Sequence, residues 1–109
     1  AAKHCVKYIK VTAPTGNQEI GSTVDVKWDT TVLPCGLKRS DRVSVRIRCV
    51  VESQCGREQF PPASAVPSVP FTDGHKEINI PNDPTLVNTT FQAIIFDENS
   101  DVSGFSVKF

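Results

Sequence analysis

A chain of 109 residues has room for one domain, and an apolar share of 39% supports one lean core. Its 12 acidic and 12 basic side chains cancel, so no bulk charge draws it to nucleic acid or to an anionic membrane. No apolar run reaches the length of a membrane-spanning helix, and no segment repeats another.

The first seven residues form a polar arm carrying His4 and Cys5. Residues 8–13, YIKVTA, make a β-rich run. Pro14, Thr15, Gly16 and Asn17 then form a turn, where Pro fixes φ and Gly or Asn accepts the left-handed region. Residues 19–28, EIGSTVDVKW, organise the rest. Ile20, Val24, Val26 and Trp28 fall on one face; Thr23, Asp25 and Lys27 fall on the other. That alternation marks a strand with one face in a core and one in water. Trp28, the only tryptophan, is on the inward phase and is expected in the core rather than in a ligand platform.

A loop over residues 29–41 holds Pro34, Cys35 and Gly36. Residues 42–51 alternate again, with Val43, Val45, Ile47, Cys49 and Val51 on one face and Ser44, Arg46 and Arg48 on the other. A turn over 52–57 carries Cys55 and Gly56. Four prolines between residues 59 and 71 forbid a central strand there. They predict an extended connection from one sheet to the other, pinned by Phe60, Val66, Val69 and Phe71, in preference to a proline-rich ligand motif. Residues 76–81 read as a short strand with Ile78 and Ile80 inward, and Asn82-Asp83-Pro84 as a turn. The most apolar strand covers 90–96, TFQAIIF. A polar turn over 97–104 leads to a closing strand with Phe105, Val107 and Phe109 inward and Ser106 and Lys108 outward.

No stretch sustains a helical period. Six or seven short strands at regular spacing, separated by Pro, Gly and Asn turns, predict an all-β fold. The expected form is an antiparallel immunoglobulin or fibronectin III-like β-sandwich of about seven strands, one domain over residues 1–109; a small barrel is the alternative.

Cys5, Cys35, Cys49 and Cys55 are an even set in a short chain, with no metal-ligand spacing. Two disulfides and an address outside the cell are expected. If the first strand pairs antiparallel with residues 19–28, its start lies beside the end of that strand and the Cys35 loop. Cys49 ends its own strand at the opposite pole, with Cys55 just after. The expected pairs are therefore Cys5–Cys35 and Cys49–Cys55; closing the longer loop stabilises by about 3–4 kcal/mol. A start at Ala1-Ala2 suits cleavage of a signal peptide beside small residues. Asn88-Thr89-Thr90 is an N-glycosylation sequon.

The segment YIKVTAPTGNQEIGSTVDVKW resembles the opening of an Ig-like domain in a fungal family. That family comprises the N-terminal domain of yeast cell-wall β-1,6-glucan synthesis proteins and the Ser/Thr-rich GPI-anchored membrane proteins. Its pattern falls here on Ile9, Val11, Pro14, Gly16, Gly21, Ser22, Thr23, Val24, Val26 and Trp28. INIP at 78–81, FQAIIFD at 91–97 and SGFSVKF at 103–109 also look similar. The Cys35 loop and the proline-rich segment are longer than the family's usual connections, and these residues include no Ser/Thr-rich stalk or GPI tail. The resemblance implies a secreted or cell-wall-associated binding or structural module, not an enzyme, and carries over no catalytic residue.

The residues themselves add no reaction centre. His4 is one position too late for an amino-terminal copper site, and His75 follows Asp73-Gly74 as a solvated loop residue. Asp97, Glu98 and Asp101 read as a solvated hairpin end rather than a calcium site. No metal or cofactor is expected, and no serine sits in a nucleophile elbow. One surface invites a function. With Phe91, Ala93 and Ile95 inward, Ile94 and Phe96 face out, beside Arg46 and Arg48 on one flank and Ser106 and Lys108 on the other. A basic-rimmed apolar face of this kind suits a protein or a glycan; the competing reading is that arginine stems simply cover the two apolar side chains. The expected partner is a cell-wall polysaccharide, with a host or competitor protein, met as an effector or inhibitor, as the alternative.

Overall fold

The computed structural model describes residues 6–50, 67–87, 89–97 and 102–109, and the backbone of 59–60. Its strands are β1 (Val11–Ala13), β2 (Thr23–Trp28), β3 (Arg42–Cys49), β4 (Gln59–Phe60), β5 (Ser68–Pro70), β6 (His75–Asn79), β7 (Phe91–Asp97) and β8 (Ser103–Phe105). The described residues contain no α-helix, only single 3-10 turns at Phe71–Asp73 and Pro84–Leu86.

The strands form two antiparallel sheets. One has the order β1-β2-β6; the other runs β4-β3-β7-β8, with β5 also pairing β3. Their alternating faces meet in one apolar cluster. Val24, Val26, Trp28 and Ile78 enter it from the first sheet, and Val43, Val45, Ile47, Ala93 and Ile95 from the second. Each large side chain so buried contributes about 1.5–3 kcal/mol. Trp28 is a core residue, 4% exposed. Its indole N–H donates to the Phe71 carbonyl at 2.7 Å, so its polar atom is satisfied as well.

The run expected as one strand over 8–13 is divided between the sheets. The Ile9 N–H donates to the Ser103 carbonyl at the start of β8, while the Lys10 carbonyl accepts from Asp29 N–H just after β2. The chain therefore leaves the second sheet and joins the first within two residues. Gly104 makes this passage possible, because a Cβ there would overlap the Ile9 carbonyl, lying 2.8 Å from its carbon.

The closing segment departs from its expected phase. Phe105 and Val107 face out, 47% and 58% exposed, while Gly104 and Ser106 are buried. Phe109 alone keeps the inward place. In the ladder Phe105 faces outward Ile94 and Gly104 faces inward Ile95, which sets the outward phase, and the register then shifts. Ser106 N–H donates to the Ala93 carbonyl, and Phe91 and Phe109 exchange both backbone bonds. Two steps along β7 are thus matched by three along the C-terminal segment, so Gln92 faces an extra residue. This is a β-bulge, and it resets the alternation. The Ser106 hydroxyl fills the gap, accepting from Ala93 N–H at 2.9 Å and donating to the Val107 carbonyl at 2.7 Å.

Other departures are smaller. The proline-rich stretch does lead from the second sheet to the first, but β4 and β5 within it pair with the edge of β3. Pro70 sits in such an edge, where a missing N–H is tolerated. Phe71 is fully buried and Val69 packs against the cluster; Val66 and the Phe60 side chain lie outside the described residues. Asp97 is 2% exposed on the inward phase of β7, so this carboxylate is not a solvated hairpin end. Glu98 and Asp101 lie outside the described residues. His75 opens β6 rather than sitting in a loop, with Nδ1 3.3 Å from Asp25 Oδ1.

Candidate binding face and end cleft

The outward face of the second sheet is set by the β3–β7–β8 register. Arg46 stands opposite Ile94, and Ile94 opposite Phe105; Ser44 stands opposite Phe96, and Phe96 opposite Ser103. Both arginines lean diagonally across β7. The Arg46 guanidinium lies 4.9 Å from the Phe96 ring centroid, and that of Arg48 lies 5.8 Å from the Phe105 centroid. Each such cation–π contact contributes about 0.5–1 kcal/mol near water. Ile94 is packed between them, only 5% exposed yet outside the main core cluster.

The expected face is therefore present with different members. Ile94 is covered, as the stem-covering reading requires, and Phe96 is half-buried. Ser44 lies on this face but is covered, and Ser106 is turned inward opposite Ala93. Lys108 is exposed but lies in the bulge, out of register with Ile94 and Phe96. What water and a partner can reach is Arg48, Phe105, the half-buried Arg46 and, farther along β3, Arg42. Arg42 is held at that edge by Nε and Nη2 bonds to the Ser68 hydroxyl and carbonyl at 3.0 and 2.7 Å. Sequence alternation missed Phe105, because nothing in residues 103–109 signals that the β7–β8 register sets it opposite outward Ile94.

A second feature was not foreseen. Where β2 and β7 begin and β6 ends, the space between the sheets opens as a cleft of about 590 Å³. Ile20, Ile80, Leu86, Phe91 and Phe109 line its floor; Asn17, Gln18, Glu19, Thr89 and Thr90 line its rim. The floor is held by backbone bonds from Gly21 N–H to Ile80 O and from Ile80 N–H to Ser22 O, both 2.9 Å. Asp83 caps the Pro84–Leu86 turn that carries Leu86, accepting from Thr85 N–H at 3.0 Å. The sequon residue Asn88 lies outside the described residues; its neighbours Val87 and Thr89 line the cleft.

Cys35 and Cys49 are both disulfide-bonded. Cys5 and Cys55 lie outside the described residues. Val6 bridges Pro34, and Cys35 N–H donates to the Val6 carbonyl at 2.7 Å, so the N-terminal arm reaches the Cys35 loop. Cys49 pairs with Phe91 at the cleft end. The Asp29 carboxyl is held below its ordinary pKa by the Thr31 hydroxyl and then the Thr31 N–H, both donating to Oδ1, with Lys10 nearby. No group of three potential metal ligands occurs among the described residues, and no described helix is long and apolar enough to cross a membrane.

Comparison with protein-family models, with characterised proteins and with solved structures finds no match.

Proposed function

We propose that this chain is a secreted, non-enzymatic binding module with an immunoglobulin or fibronectin III-like sandwich, docking through the outer face of β3, β7 and β8. The strand order supports the sandwich. The chain changes sheets after β2, after β5 and after β6, leaving β1-β2-β6 against β4-β3-β7-β8, as Greek-key sandwiches do. The disulfide-bonded Cys35 and Cys49 support an oxidising address outside the cell, and the fungal resemblance supports a wall or its surroundings. Asn88 is the proposed glycan acceptor.

The observation that carries the docking face is the pair of arginine–phenylalanine stacks over Ile94. Their aromatic rings are already faced by guanidinium groups, which leaves less bare ring for an uncharged sugar to stack upon. Arginine and aromatic side chains are instead the residues that protein interfaces concentrate at their centres. An extracellular protein presenting carboxylates against Arg42, Arg46 and Arg48 is the partner this face suits best. Cell-wall polysaccharide remains the second reading, favoured by the end cleft rather than by this face.

A photo-cross-linker placed at Phe105 in the secreted protein tests the proposal. A discrete protein adduct that disappears with R46E/R48E, the fold remaining intact by circular dichroism, is the expected result. An adduct indifferent to that charge reversal, or retention on insoluble glucan that depends on the same arginines, overturns it.

A further inference from the structure

We propose that the end cleft is a separate binding site for a short stretch of an uncharged sugar chain. This site does not rest on the docking face. At about 590 Å³ the cleft lies within the range of small-ligand sites. Its chemistry is sorted by depth. The floor is aliphatic and aromatic, suited to the C–H face of a sugar ring. The rim offers amides and hydroxyls, which both donate and accept, as sugar hydroxyls do. The Gln18 amide already donates to Gly16 O, and the Thr89 hydroxyl to Leu86 O. Their oxygens remain as acceptors, and Asn17 and Thr90 supply further groups.

The charge pattern selects among ligands. Among the described residues lining the cleft, Glu19 is the only ionisable side chain and none is a lysine or arginine. An anionic sugar or a phosphate would meet a like charge, with no cation among the described lining residues to offset it. A wholly apolar ligand would strip water from the rim amides without replacing their hydrogen bonds. An uncharged polyol avoids both penalties. The walls are already braced, by the Gly21–Ile80–Ser22 bonds on one side and the Phe91–Phe109 pair on the other, so little ordering has to accompany binding.

The experiment is a titration of the isotopically labelled full chain, followed by amide chemical shifts. The chain carries Asn88→Gln so that no attached glycan competes. Three probes are used: short glucose oligomers, short mannose oligomers and short oligomers of an acidic sugar. Saturable shifts confined to residues 17–20, 89–91 and Phe109 with either neutral series are expected. Glucose points to a free wall polysaccharide, and mannose to a protein-linked glycan. Asn17→Ala combined with Gln18→Ala should weaken that binding roughly tenfold, as the loss of two modest hydrogen bonds does. The proposal fails if neither neutral series moves these amides at millimolar concentration. It also fails if the acidic series binds more tightly, or if the shifts fall on Arg48 and Phe105. Apart from that last outcome, none of these results bears on the cross-linking at Phe105, so failure of one site is distinguishable from failure of the other.

Discussion

Gly104 is the position where one added atom does most. Its backbone passes so close to Ile9 that a methyl group would press into the Ile9 carbonyl, which is backbone and cannot rotate aside. Ile9 in turn is 2% exposed and donates to Ser103 O at 3.0 Å. Gly104→Ala should therefore destabilise the fold by about 3 kcal/mol, the upper range of overpacking. Urea denaturation followed by Trp28 fluorescence reads it directly; an unchanged midpoint would mean that β8 and the N-terminal segment do not approach as described. Gly21 is demanding for another reason. It holds φ +74° at the entry to β2, where a side chain would be strained and would also crowd Asn82.

At the scale of elements, the regular β7–β8 register places Phe105 on the binding face, and the C-terminal bulge that follows returns Phe109 to the core. The bulge is held chiefly by Ser106, whose hydroxyl stands in for a missing backbone partner of Ala93 N–H. Ser106→Ala would leave that buried donor unsatisfied and should cost about 1–3 kcal/mol. It should also weaken protection of the Ala93 amide against hydrogen exchange while leaving β2 and β6 unaffected. If the Ala93 amide stays as protected as its β7 neighbours, the bulge is supported by something other than this hydroxyl. The β3–β7 pairing is unbroken over seven residue pairs, from Val43 opposite Asp97 to Cys49 opposite Phe91. That regularity lets arginines two residues apart lean the same way over the neighbouring strands.

For the whole molecule, the covalent links matter because the core is small. The expected Cys5–Cys35 bridge would tie the N-terminal arm to the loop after β2, and Cys49–Cys55 would fix the end of β3. Reduction should lower the unfolding free energy by about 2–5 kcal/mol, mostly through the bridge that closes the longer loop. Denaturation with and without a thiol reductant measures this, and peptide mapping checks the pairing. A peptide joining Cys35 to Cys49 would overturn that layout. The charge balance of the chain also looks different in three dimensions. Twelve positive and twelve negative groups cancel overall, yet Arg42, Arg46 and Arg48 share one face of β3 while Asp25 and Glu77 stand opposite each other in the β2–β6 pairing. Net charge excludes bulk attraction to nucleic acid, but it does not describe a face.

Alternation along β2 and β3 was legible from residues alone, because burial on one side of a pleated strand imposes a period of two. Val24, Val26, Trp28, Val43, Val45 and Ile47 all fill the core positions that this period assigns them. Turn chemistry placed Gly21 equally well, and the proline-rich composition fits the short pairings of β4 and β5 along the edge of β3. Residues 103–109 alternate just as cleanly, and there local pattern misled. Two apolar faces were available to one short segment. The choice between them was made by the Ile9 backbone, which admits only a glycine beside it, and by the bulge, which returns Phe109 to the core. The cleft is likewise invisible in sequence, because its floor is assembled from five separate segments. One-dimensional periodicity records what each strand prefers, whereas close approach between distant backbones decides which preference is met.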